Sequence, residues 1–177
     1  ILPTKKLKKN ELFILNNNIY LLGRHNKLLT LYIKSIDWNN TPEKKIHLFL
    51  KNIEKDKMSC WKLMCGRCCH KEFDNSNILD ILYNINNKII REYFIKKLDI
   101  EDDDIDNFLP ILMKCIKNDE SELLMNYLIE KCSKDNKLRI LLFTYIIISL
   151  KTYPELSIYK IFIQKYKNYL VEKNGKE

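Results

Sequence analysis

The residues best equipped for chemistry in this 177-residue chain sit at Cys65-Gly-Arg-Cys68-Cys69-His70. Two thiols in a C-x-x-C spacing, with a third thiol and an imidazole beside them, can form half of a tetrahedral zinc site or a redox pair. A closed zinc site needs a second ligand pair. No other C-x-x-C and no H-x-x-x-H exists, and Cys60, Cys115 and Cys132 stand singly in helix-like patterns. The cysteines therefore read as small core residues ahead of either alternative. Ile1-Leu2-Pro3 runs straight into Lys5-Lys6-Leu7-Lys8-Lys9, which is no secretory leader, so a disulfide framework is not expected. His25, His47 and His70 lie among helix-forming residues, without the nucleophile and orienting partner that a catalytic base requires.

The acidic run Glu101-Asp102-Asp103-Asp104, then Ile105 and Asp106, suggests a calcium loop at first sight. An EF-hand needs a glycine at its sixth position and a bidentate glutamate at its twelfth, and neither is present. Acids favoured at a helix N-terminus by the macrodipole explain the run. With only Gly23, Gly66 and Gly175, the chain has no glycine-rich loop to cradle phosphates. No catalytic, cofactor-binding or metal-binding residue is assigned. Tyr145, Tyr153, Tyr159, Phe162, Tyr166 and Tyr169, interleaved with Lys160, Lys165 and Lys167, could stack nucleic-acid bases, but read better as packing under lysine stems.

The elements that position these residues are helices. Ile, Asn and Lys supply 71 of 177 residues, Ala is absent and Val occurs once, a bias of coding drift rather than of function. Apolar residues recur at helical spacing almost everywhere and alternate almost nowhere. The spacing predicts an all-α chain with about ten helices, near 10–22, 26–36, 42–54, 58–69, 77–84, 87–98, 103–117, 120–133, 136–150 and 155–172. Short connections make sequential helices antiparallel neighbours. Thr41 is expected to cap a helix beginning at Pro42, Ser76 to cap the next-but-one, and Asp119 with Glu122 to form a capping box. Pro110 falls two turns into its helix, where the lost backbone bond should kink the axis. The expected core includes Leu21, Ile36, Trp38, Leu79, Leu82, Phe94, Leu109, Leu112, Leu128, Leu141 and Ile147.

The charge balance, 31 Lys and Arg against 23 Asp and Glu, gives +8, but only four of the basic residues are Arg. Arginine makes the planar fork that reads phosphate and guanine, so a lysine excess in a lysine-biased chain argues for solvated surface, and no nucleic-acid partner is expected. The longest apolar run, Leu138 to Leu150, is too short for a bilayer and contains Arg139.

Several stretches, taken in order, resemble a known family. Ser35-Ile-Asp-Trp38-Asn39 is similar to the S-x-x-W-[ND] stretch near the start of the helical accessory (PIK) domain of phosphatidylinositol 3- and 4-kinases. Asn77 to Tyr83 followed by Ile89 to Leu98 resembles the family's leucine-rich helix and its "V-R-x-[FY]-A-x-x-x-L" partner, with Ile95 and its neighbours replacing small residues. Asp104 to Asp119 is similar to "Y-L-P-Q-L-V-Q-x-L-[KR]-x-[DE]", internal proline included, and Leu124 to Ser133 to "L-x-x-F-L-[IL]-x-[KR]-[AC]". The resemblance spans about Asn10 to Leu170 and implies an α-solenoid, a HEAT-like superhelix of antiparallel helix pairs. It also implies a single accessory domain over 1–177, with 171–177 as linker, excised from a longer lipid kinase as the start at Ile1 suggests. Such a domain has no chemistry and no cofactor of its own. ATP and Mg are expected for the parent kinase, whose catalytic lobes in the same chain are the expected partner, along with a possible regulatory protein on the helical surface. The expected location is cytoplasmic, with the parent peripheral to intracellular membranes and membrane contact only through it. The Ser35–Asn39 stretch leans toward 3-kinases and the later stretches toward 4-kinases. The alternatives are a free-standing helical adaptor or RNA-binding module and, third, a small metal enzyme around Cys65 to His70.

Overall fold

The structure, a computed structural model, describes residues 6–18, 22, 26–59 and 73–174. Among them there are nine α-helices, two short 3₁₀ turns and no strand, so the fold is all-α as the periodicity predicts. Contacts divide the chain into two units, Ile1–Lys97 and Leu98–Glu177. The expected helix over 58–69 lies almost wholly outside the described residues, as do Leu21, His25, Cys60, Cys65, Cys68, Cys69 and His70.

The first unit holds α1 (Lys9–Asn17), α2 (Asn26–Ser35), α3 (Glu43–Ser59), α4 (Asn75–Asn84) and α5 (Lys88–Ile95). Its centre is α4, where Ile78, Leu79, Asp80, Ile81 and Leu82 are all buried, which requires neighbours on more than one side. One neighbour is α2, whose Leu29, Tyr32 and Ile33 form an i, i+3, i+4 apolar stripe. Thr30 meets Asn77 and Lys34 meets Asp80, so the contacts advance along both helices together and the two point the same way. On the other side Arg91 of α5, 1% exposed, donates to the carbonyls of Leu82 and Ile85. These oxygens end α4, and the guanidinium takes the place water would otherwise hold there.

The second unit holds α6 (Ile105–Cys115), α7 (Leu123–Cys132), α8 (Asn136–Thr152) and α9 (Ser157–Asn174), with 3₁₀ turns at Asp102–Asp104 and Ile116–Asn118. The last two helices form an antiparallel hairpin. Tyr153 stacks on Tyr159 at one end, with ring centroids 6.2 Å apart, and at the other the Tyr166 hydroxyl donates to the Arg139 carbonyl at 3.0 Å. Helix α6 runs unbroken through Pro110 to Cys115, burying Leu109, Leu112 and Met113.

The helix starts correct the sequence-based reading in three places. Pro42 itself occupies the capping position of α3, its carbonyl accepting from Ile46, while the Thr41 hydroxyl donates to Asp37. Asp74, not Ser76, caps α4 by accepting the Asn77 N–H at 2.8 Å, and Ser76 donates to the same carboxylate. Asp119 and Glu122 do not form a reciprocal box. Glu122 is left-handed, with φ 56°, and this turn swings α7 so that the fully buried Asp119 carboxylate accepts the Met125 N–H at 2.9 Å. The core is corrected as well. Ile36, Leu141 and Ile147 are only half-buried, and on α8 the inward positions are Leu138, Leu142, Ile146 and Ser149. That helix is apolar around most of its circumference, so its pattern does not say which stripe faces in.

Candidate functional site

The Ser35–Asn39 stretch builds a turn between α2 and α3. The Trp38 indole N–H donates to the Ile33 carbonyl at 2.6 Å, its ring packs on Phe49 at 5.0 Å, and its own carbonyl accepts from Asn87 at 3.2 Å. Ser35 donates to Leu31 and accepts the Leu7 N–H at 2.8 Å. These Trp38 and Ser35 polar atoms are committed to holding the turn, an arrangement suited to positioning rather than to reacting. An open groove of about 320 Å³ runs beside it, lined by Lys6, Asn39, Asn84, Asn86 and Asn87 among others.

Beneath that turn lies a buried ion pair, Lys34 and Asp80, whose side chains are 5% and 3% exposed. The lysine Nζ donates to both carboxylate oxygens at 2.9 and 3.0 Å, and Asn84 donates to Asp80 at 2.9 Å. Two charges leave water together only when such geometry offsets their desolvation. Sequence reasoning passed over this pair and Arg91. The available signal was a charge interrupting an apolar run, Ile78-Leu79-Asp80-Ile81-Leu82.

In the second unit Asp102 of the acidic run accepts from Lys134 at 2.8 Å and Lys131 at 3.1 Å. Hydrogen bonds from these two lysines, Lys134 first, hold its carboxyl below the usual range. The second acid of the run therefore works as a surface clamp between the start of α6 and the end of α7. A second groove, about 520 Å³, lies between α7 and α9 and is lined by Asn126, Ile129, Glu130, Lys165, Tyr169 and Glu172. Its Lys165 is paired with Glu122.

Cys115 and Cys132 are fully buried. Burial pushes the Cys132 thiol up to about 12, far from the thiolate that nucleophilic attack or metal binding needs. Tyr159 donates to the Met113 carbonyl at 3.0 Å and is likewise pushed up to about 12, first by burial and then by Tyr153 and Cys115. Tyr159, Phe162 and Tyr166 are core residues, whereas Tyr153 is 40% exposed. His47 is exposed on α3. Among the described residues no group of three or more His, Cys, Asp or Glu could hold a metal ion, and no helix is long and apolar enough to cross a membrane.

The geometry thus describes helices held by buried polar ties and carrying open grooves. Compared with known proteins, the chain matches no family model, no curated protein and no solved structure.

Proposed function

We propose that this chain is the helical accessory domain of a phosphatidylinositol kinase, 3- or 4-kinase, and serves as a non-catalytic scaffold for catalytic lobes in the same polypeptide. One observation carries the reading: the four later resembling stretches fall, in order, one to a helix, while Ser35–Asn39 forms the turn between α2 and α3. Asn77 to Tyr83 lies in α4, Ile89 to Leu98 begins in α5, the proline-containing stretch covers α6, and Leu124 to Ser133 follows α7. The scaffold role also accords with the buried ties just described, because Lys34 with Asp80, Arg91 and Tyr159 are used to hold helices together. Three large apolar side chains of α8, Ile140, Phe143 and Ile148, stay open to solvent at 69%, 39% and 50%, and exposed apolar surface of this kind marks contact with another body. On this reading ATP and Mg bind the lobes, the helices form a solenoid of stacked pairs, and the parent works in the cytoplasm at membrane surfaces.

The test is the translated reading frame beyond Glu177. It should contain a nucleotide-anchoring lysine on a strand, then a catalytic loop and an Asp-Phe-Gly-like metal-binding motif. A frame that stops there, or that continues into unrelated sequence, removes the lipid-kinase reading, and a free-standing helical adaptor takes its place.

A further inference from the structure

The two units differ sharply in charge. Residues 1–97 carry 19 Lys and Arg against 9 Asp and Glu, while 98–177 carry 12 against 14. In the first unit three of these lysines lie together on the outer side of α3. This helix buries Ile46, Phe49, Leu50 and Ile53 and turns Lys44, Lys45, His47, Leu48 and Lys51 outward. Lys44, Leu48 and Lys51 follow one another at i, i+4 and i+7, which stacks them in a single ridge. Lys45 and His47 flank it. Leu48 stands in the middle, 59% exposed.

No carboxylate among the described residues neutralises these three lysines. The acid nearest along the outer side, Glu54, is engaged elsewhere: Lys97 holds it at 3.3 Å, and it also accepts from Tyr93. Glu43 begins the helix, where the macrodipole favours it. The outcome is a cationic ridge around one apolar side chain on a helix whose opposite side anchors it to the core.

We propose that this face of α3 docks on an anionic lipid bilayer, with Lys44, Lys45 and Lys51 at the headgroups and Leu48 entering the interface. Lysines near a negative membrane surface gain long-range attraction without needing a fixed geometry, and a lone large aliphatic residue between them suits the headgroup–acyl boundary. A nucleic acid fits the same charge less well. The ridge has no arginine fork and no exposed aromatic ring on which a base could stack, because Phe49 points into the core. The proposal rests on α3 alone and does not depend on the lipid-kinase reading.

Sedimentation of the 177-residue chain with vesicles tests it. Phosphatidylcholine vesicles containing about 30% phosphatidylserine should carry the protein down, with binding that weakens as salt rises, and pure phosphatidylcholine vesicles should not. The triple variant K44E/K45E/K51E should lower the partition at least about tenfold, and Leu48→Ala severalfold. Reversal of Lys137, Lys151 and Lys160 in the second unit should leave it unchanged. Far-UV circular dichroism of each variant verifies that the helices persist. Equal sedimentation with neutral vesicles, indifference to the α3 reversals, an undiminished Leu48→Ala variant, or capture of RNA with no capture of vesicles would each overturn the proposal.

Discussion

Asp80 shows how a single charged residue holds the first unit together. It sits 3% exposed between Ile78, Leu79, Ile81 and Leu82 and is tolerated only because Lys34 and Asn84 meet its oxygens. Removing one partner strands the other in a low-dielectric interior. Asp80→Leu alone should therefore cost about 3–5 kcal/mol in urea unfolding, whereas Lys34→Met combined with Asp80→Leu should recover most of that loss. An additive double variant would show that the two charges do not act as a pair. Cys132 is governed by burial alone. Its thiol is raised from 9.0 to about 12, so the fold disfavours the thiolate, and Cys132 subtracts stability only as pH climbs above the unfolded value. Peptide mapping after iodoacetamide treatment at pH 8 should find Cys132 unmodified in the native chain and modified in denaturant. Ready native modification would mean that α7 and its neighbours open far more often than their packing allows.

Among the elements, α7 depends most on a distant residue. Glu122 in the left-handed region cannot cap in the ordinary way, and the Met125 N–H is satisfied instead by Asp119, six residues earlier and fully buried. Asp119→Ala leaves that donor unpaired and should cost about 1–3 kcal/mol in chemical denaturation. Asp119→Asn keeps an acceptor oxygen and should cost less than half as much. Equal losses from both would show that the carboxylate charge, rather than its acceptor geometry, supports the turn. Helix α8 makes a different point. Its pattern is apolar around most of its surface, so it buries Leu138, Leu142 and Ile146 and still leaves Ile140, Phe143 and Ile148 exposed.

For the whole molecule, a scaffold reading has a direct consequence. Burial holds the Cys132 thiol up, the buried lysine is paired with its carboxylate, and no glycine-rich phosphate loop is present in the sequence, so the isolated chain with phosphatidylinositol, ATP and Mg should produce no phosphorylated lipid. Radiolabelled lipid above the background of boiled protein would end the scaffold reading at once.

What the sequence determined by itself was helix type and approximate extent. The 3.6-residue recurrence of apolar side chains is a local property, and nine of the expected segments carry a helix in the structure. The polar ties were decided by tertiary structure. The Lys34–Asp80 pair spans 46 positions and the Tyr159–Met113 bond spans 46 as well, and no local spacing encodes which residues the packing will bring together. The start of α7 departed from its local pattern because the buried Asp119 carboxylate reaches the Met125 N–H, six residues on. The stripe of α8 that faces inward was likewise settled only when α7 and α9 took their places, since a helix apolar on several faces has no preferred side until its neighbours bury one.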